Sequence, residues 1–165
     1  MVVFDAGILI ALLTPRSTEE AKKERLEYLV RSLRQSKTKI IIPTPALAEL
    51  LVHAPDFADE FSHSAGFEVV SFDQKAALEC SLSVRAALRS GNKRGKQKSA
   101  AWSKVKFDHQ IVAIARSRVA ACIYSDDKGL LNFARSNGLM AISADDLPDD
   151  PAKAQGTLDL AEQQH

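Results

Sequence analysis

The chain has 165 residues, a formal net charge of +1, 45% hydrophobic and 26% charged residues. A domain of about 150 residues buries roughly 68–70% of the surface its unfolded chain exposes. One self-sufficient core is therefore expected, and wholesale disorder or dependence on disulfides or a structural metal is excluded. Cys80 and Cys122 lie far apart with no CxxC partner, so neither a disulfide framework nor a zinc site is expected, and both read as buried thiols. The apolar run Val2–Leu13 is interrupted by Asp5, has no basic region before it and is shorter than the roughly 20 residues a membrane span needs. A cytoplasmic chain without a membrane partner is the expectation.

In chain order, Met1–Phe4 predicts a short buried strand that stops at Asp5, and Gly7–Leu13 a short apolar helix. Ser17 and Glu20 have the spacing of a capping box ahead of a helix. In that helix Leu26, Leu29, Val30 and Leu33 form one apolar stripe, opposite Lys22, Lys23, Glu27 and Arg31. Lys39–Ile42 predicts a second strand, with Thr44 as N-cap and Pro45 as the first residue of a helix carrying Ala46, Leu47, Glu49, Leu50 and Val52. A further helix is expected near Pro55 and a strand over Phe67–Phe72. Asp73 then caps a long helix to about Arg89, with Ala77, Cys80, Val84, Ala87 and Leu88 on one side. Ser90–Ser103 holds Gly91, Asn92 and Gly95 without apolar periodicity, which predicts a loop. Phe107–Val119 reads as a helix with Ile111, Val112, Ile114 and Ala115 inward, Ala120–Tyr124 as a strand, Lys128–Ser136 as a helix ended by Asn137–Gly138, and Leu139–Ile142 as the last strand. Beyond Pro148 the chain is polar and is expected to fray, which makes 148–165 a C-terminal tail.

Short strands alternating with helices imply parallel pairing through right-handed crossovers, hence an α/β fold: a three-layer α/β/α sandwich around a mostly parallel sheet. Ligands of such sheets bind outside the carboxyl ends of the strands. Acids collect there. Asp5 ends the first strand, Asp126 and Asp127 follow Ala120–Tyr124, Glu49 lies one to two turns into its helix, and Asp108 lies in the first turn of its own. Each has an ordinary explanation. Asp108 suits a helix N-terminus, Asp126 and Asp127 suit a turn, and Glu49 suits a solvated helix face. Asp5 resists that treatment, because a carboxylate inside an apolar run carries a desolvation cost unless its charge is compensated. A divalent cation would reconcile several carboxylates in one crevice, and an all-oxygen donor set selects Mg²⁺ or Mn²⁺ over zinc.

Four ordered segments resemble the PIN-domain family and, within it, the VapC-like toxins of toxin–antitoxin pairs. They are Val2-Val3-Phe4-Asp5-Ala6-Gly7, Pro43-Thr44-Pro45-Ala46-Leu47-Ala48-Glu49-Leu50, Lys106-Phe107-Asp108-His109-Gln110-Ile111-Val112-Ala113-Ile114-Ala115 and Ile123-Tyr124-Ser125-Asp126-Asp127-Lys128-Gly129-Leu130-Leu131. The resemblance covers residues 1–147 and includes a basic loop at about 90–103. It implies a PIN-like fold and Mg²⁺- or Mn²⁺-dependent cleavage of RNA, with Asp5, Glu49, Asp108 and Asp127 as catalytic acids. Asp5 and Asp108 would be the principal metal ligands, with Glu49 and Asp127 acting through water. Ser125 supports Asp127 in a Ser-x-Asp pattern, and Asp126 stands between them as a second candidate ligand. A protein antitoxin and a homodimer are further implications. Gly7 departs from the pattern, since many relatives carry a polar residue there.

From Val84 to Phe107 there are eight cations and no acid: Arg85, Arg89, Lys93, Arg94, Lys96, Lys98, Lys104 and Lys106. A positive flank beside an acidic site suits an RNA backbone, and Trp102 offers a stacking surface. Two other classes compete. One is a PIN-like module that binds RNA or protein without cutting; the acids argue for the enzyme instead, because none of the four is replaced by an amide or apolar residue. A phosphatase with an aspartyl nucleophile usually needs D-x-D, and here position 7 is Gly.

Overall fold

The computed structural model describes residues 1–13, 19–57, 66–89 and 102–152. Five strands are present among them: β1 (Val2–Phe4), β2 (Ile40–Pro43), β3 (Phe67–Val70), β4 (Cys122–Tyr124) and β5 (Met140–Ile142). They form one sheet in the order β3-β2-β1-β4-β5. Every pairing is parallel, with Val2 opposite Ile40, Val3 opposite Ile123 and Cys122 opposite Met140. Six α-helices accompany them among the described residues: α1 (Ala6–Leu13), α2 (Glu20–Gln35), α3 (Thr44–His53), α4 (Gln74–Arg89), α5 (Trp102–Ser117) and α6 (Lys128–Ser136). The expected α/β architecture with a parallel sheet is therefore the one found.

The alternation of side chains along a strand builds two cores. Val2, Phe4, Ile40, Ile42, Cys122 and Tyr124 face one side and pack on Ile8 and Leu9 of α1 and Leu26 and Leu33 of α2. Val3, Ile41, Val70, Ile123 and Ala141 face the other and pack on Ala76 of α4, Ile111, Val112, Ile114 and Ala115 of α5, and Leu130, Leu131 and Ala134 of α6. Strands apolar on both faces are what a sheet covered on both sides requires. No helix among the described residues is long and apolar enough to cross a membrane.

Several boundaries differ from the sequence expectation, each for a local reason. Helix α2 begins at Glu20 with Glu19 at its N-cap and no side-chain cap, while Ser17 lies outside the described residues. Thr44 is not a side-chain cap, because its Oγ1 accepts a hydrogen bond from the Phe72 N–H and ties α3 to the end of β3. Pro55–Phe57 is a single 3-10 turn. Asp73 does cap α4, its Oδ1 accepting the Ala76 N–H at 2.9 Å. The inward side of α4 is Ala76, Glu79, Cys80, Ser83 and Val84, whereas Ala77 and Leu88 are exposed. Polar anchors decide this rotation, since Arg116 donates to Glu79 and Ser83 donates to Asn137. The Ala87 side chain and residues 90–101 of the expected loop lie outside the described residues. Helix α5 starts five residues before the expected Phe107, at Trp102.

Two helices end in a left-handed residue without glycine. After α2, Lys37 has φ 54°, and after α5, Val119 has φ 54°. At Val119 the backbone closes a Schellman motif, with the Val119 N–H donating to Arg116 O and the Ala120 N–H to Ala115 O. A β-branched side chain at positive φ is strained, and Val119 is 82% exposed, so little packing offsets that cost. Val119→Gly should stabilise the fold by about 1 kcal/mol, roughly the left-handed penalty of an L-residue. In a domain of this size that gain corresponds to about 2–4 °C in Tm by calorimetry. A lower Tm would show that the valine side chain contributes contacts that outweigh its strain.

Candidate active site

The chain runs from β1 outward to β2 and β3, then returns to the other side of β1 as β4. The crevice between the carboxyl ends of β1 and β4 is thus the topological switch point of the sheet, where ligands of open α/β folds bind. Asp5 and Ser125–Asp127 are the residues that leave those two strands. The Asp5 N–H donates to Tyr124 O at 3.1 Å, which extends the ladder by one rung and fixes the carboxylate at the crevice.

Asp5 is only 8% exposed. Its Oδ2 accepts the Ser125 hydroxyl at 2.7 Å, and the Ala6 N–H at the start of α1 also donates to it. Ser125 is fully buried, and its Oγ accepts the Asp127 N–H at 3.0 Å, so one hydroxyl links both acids. Burial pushes the Asp5 carboxyl above its ordinary value. The two hydrogen bonds oppose that, and the charges of Glu49 and Asp127 push it further up. Glu49 on α3 and Asp127 at the end of β4 are therefore near enough to act on Asp5. Among the described residues no cation pairs with Asp5.

Asp127 is the N-cap of α6, its Oδ1 accepting the Gly129 N–H at 2.6 Å and the Leu130 N–H at 3.1 Å. Asp126 is committed elsewhere. Its Oδ1 accepts Ser143 Oγ at 3.1 Å and the Ala144 N–H at 3.0 Å, and its Oδ2 pairs with Lys22 Nζ. Glu49 is exposed on α3. Asp108 sits in the second turn of α5, because that helix starts at Trp102, and it is 5% exposed. A macrodipole explanation for Asp108 weakens accordingly, since that effect falls off within the first turn. Beside it, His109 is buried against Phe133 with ring centroids 4.1 Å apart, and its Nδ1 has no hydrogen-bond partner among the described residues. Burial lowers the affinity of His109 for a proton.

The donor chemistry of these residues fits a hard divalent cation: a buried carboxylate oxygen, neighbouring negative charge and, among the described residues, no cation at Asp5. Their spacing is another matter. Among the described residues, no group of three or more His, Cys, Asp or Glu side chains is gathered closely enough to hold a metal ion. Asp5, Ser125 and Asp127 meet at one crevice, and Glu49 is near enough for its charge to act on Asp5. Asp108 is buried on α5, and Asp126 faces α2 and the turn after β5.

The basic segment is described only at its ends. Arg85 and Arg89 are exposed on α4, and Lys106 is exposed on α5. Lys93, Arg94, Lys96 and Lys98, with the side chains of Lys104 and Trp102, lie outside the described residues. Sequence reasoning missed Lys22, which it placed on the solvent face of α2. No local signal marks it, because its partner is more than a hundred residues away.

Fold and site together define an α/β domain on a five-stranded parallel sheet, with Asp5 and Asp127 at its switch point. Among solved structures, the chain resembles one in the DNA-bound VapBC complex of Salmonella typhimurium, with a TM-score of 0.58 and 17% identity over 87% of this chain and 97% of that one. It also resembles one in VapBC2 of Rickettsia felis bound to a DNA fragment from its promoter, with a TM-score of 0.56 and 17% identity over 87% and 98%. At this identity the likeness is one of fold. No family model matches the sequence, and no curated protein sequence matches it.

The raised Asp5 carboxyl has a thermodynamic sign. A group whose folded-state pKa exceeds its unfolded value adds stability below the unfolded value and loses it as pH rises through the folded one. Ionised Asp5 therefore costs stability at neutral pH unless a cation is bound. Asp5→Asn should be more heat-stable than the wild type at pH 7.5 in EDTA, by about 2–4 °C for each kcal/mol relieved. The gap should shrink toward pH 4 and with saturating Mg²⁺. A variant less stable than wild type in EDTA would show that the charge is already compensated.

Proposed function

We propose that this chain is a Mg²⁺- or Mn²⁺-dependent endoribonuclease, the toxin of a toxin–antitoxin pair. The observation that carries the reading is a buried Asp5 at the switch point with no cation partner among the described residues, acted on by Glu49 and Asp127. The fold likeness to chains of VapBC complexes supports the same reading.

In this reading Asp5 and Asp108 are the principal metal ligands, and Glu49 and Asp127 reach the ion through water. A bound divalent ion would supply a water of lowered pKa and offset charge developing on the phosphate. The protein's own part is preorganisation. Ser125 fixes the Asp5 oxygen with a 2.7 Å hydrogen bond, and the first turn of α6 fixes Asp127. Rigid strand ends hold these groups better than a free loop would. The exposed Arg85, Arg89 and Lys106, together with Lys93, Arg94, Lys96, Lys98 and Lys104, give the RNA backbone a positive flank. A protein antitoxin is the expected partner.

A second reading, a PIN-like module that binds without cutting, draws on the absence of three gathered acids among the described residues. One experiment separates the two. Purified protein is incubated with RNA in Mg²⁺ or Mn²⁺, in EDTA, and as Asp5→Asn. The nuclease reading expects metal-dependent cleavage that Asp5→Asn reduces by more than about 100-fold, beyond the 10–100-fold usual for partners outside the ligand set. Equal cleavage in every arm would indicate contamination, and RNA binding without cleavage would favour the module.

The basic flank has its own test. Neutralising Lys93, Arg94, Lys96 and Lys98 should weaken RNA binding and reduce the slope of log K against log salt by about 0.7 per lost phosphate contact on single strands. An unchanged slope would remove these four cations from the RNA interface.

A further inference from the structure

Helix α4 reverses the usual arrangement of a surface helix. Its inward side is Ala76, Glu79, Cys80, Ser83 and Val84, while its three leucines, Leu78, Leu82 and Leu88, are 62%, 60% and 51% exposed. A helix at a protein surface ordinarily turns its large apolar residues to the core and its polar ones to water. Here Glu79 is held by Arg116 and Ser83 by Asn137, so rolling the leucines inward would break both contacts. Single exposed leucines are ordinary, but a contiguous group of them marks a contact surface.

The exposed residues are also ordered. Lys75, Leu78, Leu82, Arg85 and Arg89 are all exposed and follow one another at steps of three, four, three and four residues. That spacing is the seam of a coiled coil, a stripe along the helix against which a second helix can lie. Its centre is apolar and its ends are cationic. No acid lies on it, since Glu79, the one acid of α4, is on the inward side and bound to Arg116. Among the described residues, none of the ion pairs uses Lys75, Arg85 or Arg89.

This charge pattern selects the occupant. Two copies of the chain meeting through α4 would set cations against cations whichever way the helices ran, and like charges across an interface cost affinity. An RNA strand would satisfy Arg85 and Arg89, which also border the basic segment, yet its charged backbone offers nothing to Leu78 and Leu82. A protein helix with apolar residues at its centre and acids toward its ends matches both features.

We propose that the outer face of α4 is a docking surface for an acidic amphipathic helix of another protein, with Leu78 and Leu82 as apolar anchors and Lys75, Arg85 and Arg89 as charge partners. The surface uses no metal ion and no residue of the crevice, so it stands whether or not the chain cuts RNA.

The test uses the full chain and two synthetic helical peptides. Both carry leucines at the central seam positions; one has glutamates at the outer positions and the other lysines. Binding is read by fluorescence anisotropy. The glutamate peptide should bind at least about tenfold more tightly than the lysine peptide, and the gap should close as salt screens the charges. Leu78→Ser with Leu82→Ser should weaken the glutamate peptide by about tenfold or more, the scale of a buried anchor. Its Tm should match the wild type, because both side chains face water. Arg85→Glu with Arg89→Glu should reverse the preference between the peptides, which a loss of folding would not do.

Equal affinity for the two peptides, or binding untouched by the leucine variant, would overturn the proposal. A lowered Tm in that variant would do so too, by showing the leucines packed within the chain. Three further results would hand the face to a different occupant and equally sink a docking site for another protein. A dimer in light scattering that the leucine variant dissociates would give it to a second copy. A single-stranded RNA whose affinity falls in the leucine variant would give it to RNA. The chain's own C-terminal segment has matching chemistry in Leu158, Asp159, Leu160 and Glu162. Leu158→Ser with Leu160→Ser tightening the glutamate peptide would give the face to that segment.

Discussion

The hydrogen bond from Ser125 to Asp5 joins the ends of two strands that are neighbours only because the chain reverses its direction of winding between β3 and β4. It places a carboxylate in a largely dehydrated crevice, where an uncompensated charge is costly. Two donors, the Ser125 hydroxyl and the Ala6 N–H, stabilise the ionised form without neutralising it. Glu49 and Asp127 add repulsion. The rest of the site can be understood as the arrangement that tolerates this charge.

Helix ends contribute to that tolerance. Helix α1 begins beside Asp5, and α6 begins at Asp127, so the positive ends of two helix dipoles point at the negative crevice. The carboxylate of Asp127 takes up two of the free N–H groups of α6 and is oriented by them. Folding thus depends on Asp127 as a cap while the crevice depends on it as a charge. Such double use ties local stability to site geometry, and an acid replaced by alanine here would lose both.

Outside the crevice the ionic contacts serve the frame. Helix α2 uses Lys22, Arg25 and Arg31 to gather Asp126, Asp149 and Asp150, which are distant in sequence. Exposed pairs of this kind add little stability singly. Their effect here is geometric, since they draw the segment after β5 against α2 as far as Asp150. The expectation that the chain frays directly beyond Pro148 fails for this reason at Asp149 and Asp150, while 153–165 lie outside the described residues. Fold likeness does not by itself carry chemistry. The functional reading rests on the crevice, and the cost of burying an acid with no cation beside it among the described residues suits a site that gives up stability for a ligand.

Much was legible in the sequence. Apolar triplets such as Val2-Val3-Phe4 and Ile40-Ile41-Ile42 dictate strands buried on both faces, because no polar side chain alternates within them. Asp5 stood out by breaking such a run. Periodicity fixed the inward face of α5, whose Ile111, Val112, Ile114 and Ala115 find apolar partners. Tertiary structure alone decided what depends on distant partners: the rotation of α4 set by Arg116 and Asn137, the start of α5 at Trp102, the depth of Asp108, and the division of roles between Asp126 and Asp127. The physical reason is the same in each case. Hydrophobic periodicity is written along the chain, whereas a charge takes its meaning from whatever the fold brings within a few ångströms of it.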